Sequence, residues 1–278
     1  MVKSKSPTGH RVDIDALANE RGLRAADIDW ERLLTVNYRR YLSPGGVVID
    51  AGAHNGMHAR RFRRYVRPAQ LILVEPIPAL AEGLRREFGR HRDVTVREVA
   101  LSTDPGSATF VVNESSPGES GLRNRHANDV SHPTHEIDVW LERLDDWVID
   151  APVDFIKIDV EGGELDVLRG ASELIDRDRP LISIEFGPKT AAVYGHTTAD
   201  LLAFLNDHEL AIVDLLGNEL PAADPDSWAG VYYWDFILMP REVLLSTAET
   251  RRSINTVAFH NIDTFNPTVE RWKKRLRR

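Results

Sequence analysis

The chain alternates between two hydrophobic patterns. Short apolar, β-branched runs read as strands: Val47-Val48-Ile49-Asp50, Leu71-Ile72-Leu73-Val74-Glu75, Val94 to Leu101, Val153 to Asp159, Leu181 to Phe186, Leu210 to Leu216 and Val231 to Met239. Between them, segments with apolar residues three and four apart read as helices: Met57 to Val66, Pro78 to Gly89, about Gly163 to Asp176, and Thr198 to Asp207. Strands that are apolar on both faces belong to a buried parallel sheet. Their alternation with helices predicts an α/β fold of βαβ units covered on both sides, with right-handed crossovers.

Outside this rhythm lie three segments. Residues 11–42 carry Ile14, Leu17, Ile28, Leu33, Leu34 and Tyr41 at helical spacing, and Ser43-Pro44-Gly45-Gly46 ends the pattern. The expected organisation is a helical segment over 1–46, a central α/β domain over 47–240 and a helical tail over 241–278. Within the domain, residues 104–150 form an insertion after the third strand. Ala108 to Val112 and Glu136 to Trp140 read as two strands around a polar loop, and a loop of that length is usually functional or mobile.

Composition narrows the class. The chain has 278 residues, 42% hydrophobic and 28% charged, so a packed core is expected. No apolar run approaches the roughly 18 residues of a membrane span. The polar N-terminus shows no secretory signal, and with no cysteine present the expected compartment is the cytoplasm. Absence of cysteine also removes disulfides, thiolate metal sites and cysteine nucleophiles. A net charge of −8 argues against a nucleic-acid partner. The basic end, Arg271 to Arg278, reads as a solvated helix terminus or an anionic contact. Arginine (29) far outnumbers lysine (6), which points to a GC-rich, bacterial genome. Homodimerisation is the default for a soluble oligomer.

Two segments carry chemistry. In the first, a strand ends in Asp50 and a turn, Ala51-Gly52-Ala53-His54-Asn55-Gly56, opens a helix. Gly52 permits close approach of a ligand, and the helix start offers free N–H groups. A dinucleotide site wants G-x-G-x-x-G, but His54 and Met57 stand where the second and third glycines belong. Asp50-x-Gly52-x-x-x-Gly56 suits S-adenosylmethionine instead. Glu75, ending the next strand, is placed to take two ribose hydroxyls in either case.

In the second segment, Asp159 ends one strand and Glu185 the next. Adjacent strands lie about 4.8 Å apart, so the two carboxylates converge. Three roles stand open: ligands for Mg²⁺, a general base, or caps for the helix that begins at Gly162-Gly163. Glu161 and Glu164 read as helix-start acids, with Glu161 able to point inward.

VVIDAGAHNG, LVEPIP, REVALSTDPGSATF, SGL, VDFIKIDVEGGELDVLRGA and PLISIEF together resemble the FkbM-type methyltransferase family over residues 47–186. The resemblance implies a class I, S-adenosylmethionine-dependent methyltransferase with a Rossmann-like, seven-stranded sheet whose last strand is antiparallel. It implies an O-methyltransferase acting on hydroxyls of sugars, polysaccharide precursors or secondary metabolites. By position, Asp50, Gly52 and Gly56 shape the methionine end of the cofactor site. Glu75 binds the ribose, Ala100-Leu101-Ser102 line the adenine, and Asp159 sits between cofactor and acceptor. His54 and Asn55 stand in the reverse of the family's usual order, so either contacts the cofactor. By analogy with catechol-type enzymes, Asp159 and Glu185 would hold Mg²⁺ as a second cofactor.

A sugar hydroxyl needs a base or a metal. The candidate bases are Asp159, Glu161, His54 and His135, with His58, His126 and His132 behind them. Trp228, Tyr232, Tyr233 and Trp234 supply aromatic surface for a sugar or pack in a strand. The competing readings are an NAD-dependent oxidoreductase and a non-catalytic partner subunit with the same fold.

Overall fold

The computed structural model describes residues 30–125, 131–215, 217–220 and 234–246. Expectations for residues 11–29, His126, Trp228, Tyr232, Tyr233, the residues before Trp234 in the last strand and the tail beyond residue 246 lie outside them.

Seven strands form the main sheet: β1 (Val47–Ala51), β2 (Gln70–Val74), β3 (Val94–Arg97), β7 (Val153–Ile158), β8 (Leu181–Glu185), β9 (Leu210–Asp214) and β10 (Asp235–Pro240). The order is β3-β2-β1-β7-β8-β10-β9. All are parallel except β10, which runs antiparallel to both its neighbours. The order reverses between β1 and β7, so a crevice opens at their carboxyl ends.

Three short strands, β4 (Ala100–Leu101), β5 (Gly106–Asn113) and β6 (Thr134–Glu142), form a second sheet in the order β4-β6-β5. The insertion is therefore a long β5–β6 hairpin, as its two apolar runs predict. The single expected strand over Val94 to Leu101 is two strands. Val96 and Arg97 end their pairing with β2, and Ala100 pairs instead with Leu141 of β6. An edge strand has a free side, and the chain leaves the main sheet there to begin the second one.

The helices are α1 (Trp30–Tyr41), α2 (Met57–Arg61, continued by a π turn to Val66), α3 (Pro78–Phe88), α4 (Glu164–Arg169), α5 (Ser172–Asp178), α6 (Pro188–Val193), α7 (Thr198–Asp207) and α8 (Arg241–Ser246). The helix expected over Gly163 to Asp176 breaks at Gly170. A Cβ there would lie 2.2 Å from the Ser102 carbonyl oxygen, so the β4 loop presses into the helix axis. The π turn ends at Arg67, whose φ of 56° stops the helix. α6 has no counterpart in the sequence reading, because its six residues are too few for a periodic signal.

Each face of the sheet has its own core. Ile49, Ile156, Ile158, Ile182 and Ile184 pack against α4, α5 and α7. Val48, Leu71, Leu73 and Phe155 pack on the other face against α1, α2 and α3. Tyr38, Phe62 and Phe155 meet there with ring centroids 4.6 to 5.7 Å apart, in tilted and edge-to-face geometries that favour aromatic contact.

Candidate functional site

A cavity of about 330 Å³ opens at the carboxyl edge of β1, β2, β7 and β8 and is roofed by the insertion. Its first wall is the turn after β1. Gly52 adopts φ 80°, and a Cβ on it would lie 1.8 Å from the Asp159 carbonyl oxygen. The expected reason for this glycine was approach of a ligand. The observed reason is contact between the two strand-end turns, although Gly52 still lines the cavity. Its N–H and that of Ala53 donate to the Val74 carbonyl at 3.0 and 2.9 Å, which fixes the turn on β2. Gly56, also at φ 80°, faces Leu84 and Phe88 of α3 and does not line the cavity.

Glu75 is 4% exposed and lines the cavity. Its carboxylate accepts the His54 N–H and the Ile77 N–H, both at 2.9 Å. Burial pushes its pKa up to about 7 despite these two bonds. A carboxylate oxygen accepts more than one hydrogen bond, so the group keeps capacity for a diol.

The structure separates His54 from Asn55. His54 sits at φ 47°, faces the Gly118 backbone in the insertion, and feels Asp159 and Lys157. Burial lowers its pKa, so the imidazole is neutral near pH 7. Asn55 is exposed and accepts the Met57 N–H at 3.1 Å, opening α2. Both touch the cavity, but the Asn55 amide oxygen is committed to the backbone. Ala100 and Leu101 line the cavity as expected; Ser102 does not, because its N–H pairs with the Glu142 carbonyl and its own carbonyl meets Gly170.

The opposite wall is charged. Lys157 is 2% exposed, and its Nζ lies 2.6 Å from Asp159 Oδ2. Asp50 stands in register with it on β1. Burial alone would strip the proton from this lysine, but Asp159 and Asp50 outweigh it and hold the ammonium above its ordinary pKa. Asp159 is half-buried, and Lys157 keeps it ionised below the usual carboxylate range. Burial and then Asp159 push Glu185 well above the usual carboxylate range, and the two side chains hydrogen-bond. Glu161 is raised to about 8 by burial and Asp159, although the Arg125 guanidinium bonds to it. Asp235 rises to about 7 for the same first reason.

Asp50 does not line the cavity. It is fully buried, and neither carboxylate oxygen has a hydrogen-bond partner. Burial raises its pKa to about 6. Its expected direct contact with a cofactor is thus replaced by a role beneath the floor, as counter-charge to Lys157. His135 is not brought to the site either. It points outward from β6, and its Nδ1 lies 3.0 Å from Glu114.

Asp159 and Glu185 converge at the strand ends, close enough for their side chains to hydrogen-bond. Lys157 bonds Asp159 at 2.6 Å, so an ammonium already stands at one of the two carboxylates considered for Mg²⁺. Among the described residues no group of three His, Cys, Asp or Glu side chains is arranged to hold a metal.

Glu31 and Tyr194 line the cavity without having been read from the sequence, whereas His58 stands among the candidate bases. Glu31 of α1 reaches the cavity and takes a 2.6 Å ion pair from Arg61. His58, also lining, bonds Tyr38 through Nδ1 at 3.0 Å and faces Glu31 through Nε2 at 3.4 Å. Burial, then Lys157 and Arg61, hold this imidazole neutral. Tyr194 covers the turn before α4. A Cβ at Gly121, Gly162 or Gly163 would come within 2.6, 2.8 and 3.2 Å of its side chain. The glycines of SGL and EGGE thus make room for one ring that joins the insertion to the strand-end turn. The visible signal for the charged wall is Lys157 itself, a lysine in a strand whose other buried positions are apolar.

A family model described as the methyltransferase FkbM domain matches residues 50–210. Among curated proteins, a 2-O-methyltransferase, NoeI, of Sinorhizobium fredii (strain NBRC 101917 / NGR234) is 30% identical over 152 residues, covering 49% of this chain and 61% of its own. Methyltransferase 1 of Beauveria bassiana (strain ARSEF 2860) is 29% identical over 145 residues, 45% of this chain and 58% of its own. The chain thus spans about three-fifths of the length of these relatives. The crystal structure of methyltransferase FkbM from Methylobacillus flagellatus KT superposes with a TM-score of 0.44 at 15% identity, over 74% of this chain and 50% of that one.

Proposed function

Since the chain belongs to the FkbM methyltransferase domain family, we propose that it is an S-adenosylmethionine-dependent O-methyltransferase acting on a hydroxyl of a carbohydrate or similar secondary metabolite. The observation that carries the cofactor reading is Glu75, a buried carboxyl at the end of β2 that lines the cavity and keeps acceptor capacity for a ribose diol. Gly52, Ala100 and Leu101 supply the adjoining wall. A nicotinamide dinucleotide is disfavoured because His54 and Met57 replace the glycines its pyrophosphate needs.

When bound, the cofactor supplies a methyl group made electrophilic by its sulfonium. The protein's task is to align an acceptor oxygen with that methyl and to exclude water. The insertion performs the second part by roofing the cavity with Ser116 to Ser120 and Leu122. The first part needs a proton acceptor. Asp159, held ionised by Lys157, and the neutral imidazole of His54 have the required charge state at pH 7. Burial and then Asp159 raise Glu161 and Glu185, so both stand nearer to protonation than an ordinary carboxylate. Lys157 is a positioning residue, because it touches Asp159 from beneath the floor.

The test is calorimetric titration of the purified protein with S-adenosylmethionine and, separately, with NAD⁺, repeated on Glu75→Ala. The expected result is cofactor binding that weakens at least about thirtyfold in the variant, as loss of a buried charged acceptor would cause. Tight NAD⁺ binding, or S-adenosylmethionine affinity untouched by the substitution, overturns the cofactor assignment.

A further inference from the structure

The cavity wall is rich in carboxyl groups. Besides Glu75, six carboxyl side chains line it: Glu31, Glu119, Asp159, Glu161, Asp166 and Glu185. Among the described residues no lysine or arginine lines it. The nearby cations are engaged by these acids. Lys157 bonds Asp159 at 2.6 Å, Arg61 bonds Glu31 at 2.6 Å, and Arg125 bonds Glu161 while lying 3.4 Å from Glu119. His54 and His58 line the cavity as neutral imidazoles.

Backbone N–H groups are the other usual means of holding an anion. Here buried carboxylates of the protein already occupy them. Glu164, 1% exposed, accepts the Gly162 N–H at 2.9 Å and the Val160 N–H at 3.3 Å at the turn before α4. Glu75 accepts those of His54 and Ile77 at the ends of β1 and β2. Two turns that face the cavity have thus been closed to phosphate by the chain's own side chains.

We propose that this site admits only acceptors that are uncharged or cationic around the methylated hydroxyl, and that it excludes sugar phosphates, nucleoside-diphosphate sugars and uronic acids. The inference rests on the methyl-transfer reading above. Neutral hydroxyls suit such a wall, because each donates a hydrogen bond to a carboxylate. An anion meets like charge from the ionised carboxylates, which is an effective means of rejecting wrong partners. The cofactor is compatible, since its sulfonium and ammonium outweigh its carboxylate. A place in a reaction sequence follows. The methylation acts after a glycosyl transfer has expelled the diphosphate, on the glycoside and not on its activated sugar donor.

The experiment is a ligand-observed NMR titration of the full-length protein saturated with S-adenosylhomocysteine. The probes are methyl galactoside, methyl glucosaminide, methyl glucuronide and UDP-galactose. The first two are expected to bind, and the last two at least about tenfold more weakly. Glu119→Lys, at the roof and outside the proton-transfer groups, is expected to narrow the gap for the glucuronide. Equal or tighter binding of the glucuronide or of UDP-galactose overturns the inference and leaves the carbohydrate reading standing. If S-adenosylhomocysteine binds and none of the four probes does, the carbohydrate reading fails and the inference falls with it.

Discussion

The two faces of the central sheet come from the same strands and differ in kind. One face is apolar across the central strands, with Ile49, Ile156, Ile158, Ile182 and Ile184 under α4, α5 and α7. The other begins the same way, with Val48 and Phe155 under α1 and α2, and then turns polar. Asp50, Lys157 and Ser183 are buried there, with Asp159, Glu185 and Asp235 at the edge. Strand alternation puts Asp50 and Lys157 on this face and their neighbours on the other. The comparison teaches that the fold is held by one face and the site is grown from the other, and that the lysine makes the second possible. Four strands deliver a carboxyl to one small region, and a single buried ammonium is what compensates them.

The largest effect expected is that of Lys157→Met. It removes the cation from a buried set of acids, and breaking a buried pair in this way costs about 3–5 kcal/mol. Denaturant unfolding reads the loss, and a variant as stable as the parent would end the view that Lys157 holds the polar face together. Ile184→Ala makes the matching change on the apolar face. It is expected to cost about 3 kcal/mol through the cavity it leaves, with the cofactor dissociation constant unchanged; a large change in that constant would mean the two faces are not separable.

Asp50 sharpens the contrast through pH. Its folded pKa of about 6 lies above the ordinary value of 3.8. The stability it contributes is therefore present while the group is protonated and is lost as pH rises from about 4 to 6. One pKa unit corresponds to about 1.4 kcal/mol, so this loss is of order 2–3 kcal/mol. Asp50→Asn is expected to flatten that part of a stability–pH curve measured by thermal unfolding, and an unchanged slope would show Asp50 to be ionised and paired. The smallest effect belongs to His135→Ala. The ring is exposed and paired with Glu114 on the outer surface, so stability is expected to stay within about 0.5 kcal/mol and methyl transfer to proceed at the parent rate.

Legibility followed the range of the interactions. β1, β2, β7, β8 and β9 were read within a residue or two, because a buried strand announces itself as a local apolar run. Glu75, Asp159 and Glu185 line the cavity, and each closes or follows such a run. The split of Val94 to Leu101 into two strands was not readable, since the partner of Ala100 is Leu141, some forty residues away. Ser102 failed as a lining residue for the same cause, its carbonyl being turned to Gly170. Glu31, His58 and Tyr194 carry no motif, and their place in the wall depends on how α1, α2 and α6 pack.

What the sequence by itself determined was the alternation of strands and helices, the acid-ended runs, the glycine turn and the membership in one family of blocks. These depend on side-chain period and backbone freedom, which are local properties. Only the tertiary structure decided that Gly52 yields to the Asp159 backbone, that Asp50 lies under the floor, and that Lys157 takes the place considered for a metal. Those outcomes depend on burial and on charges brought together from distant positions, because a carboxylate's energy is set by what surrounds it and not by its neighbours in the chain.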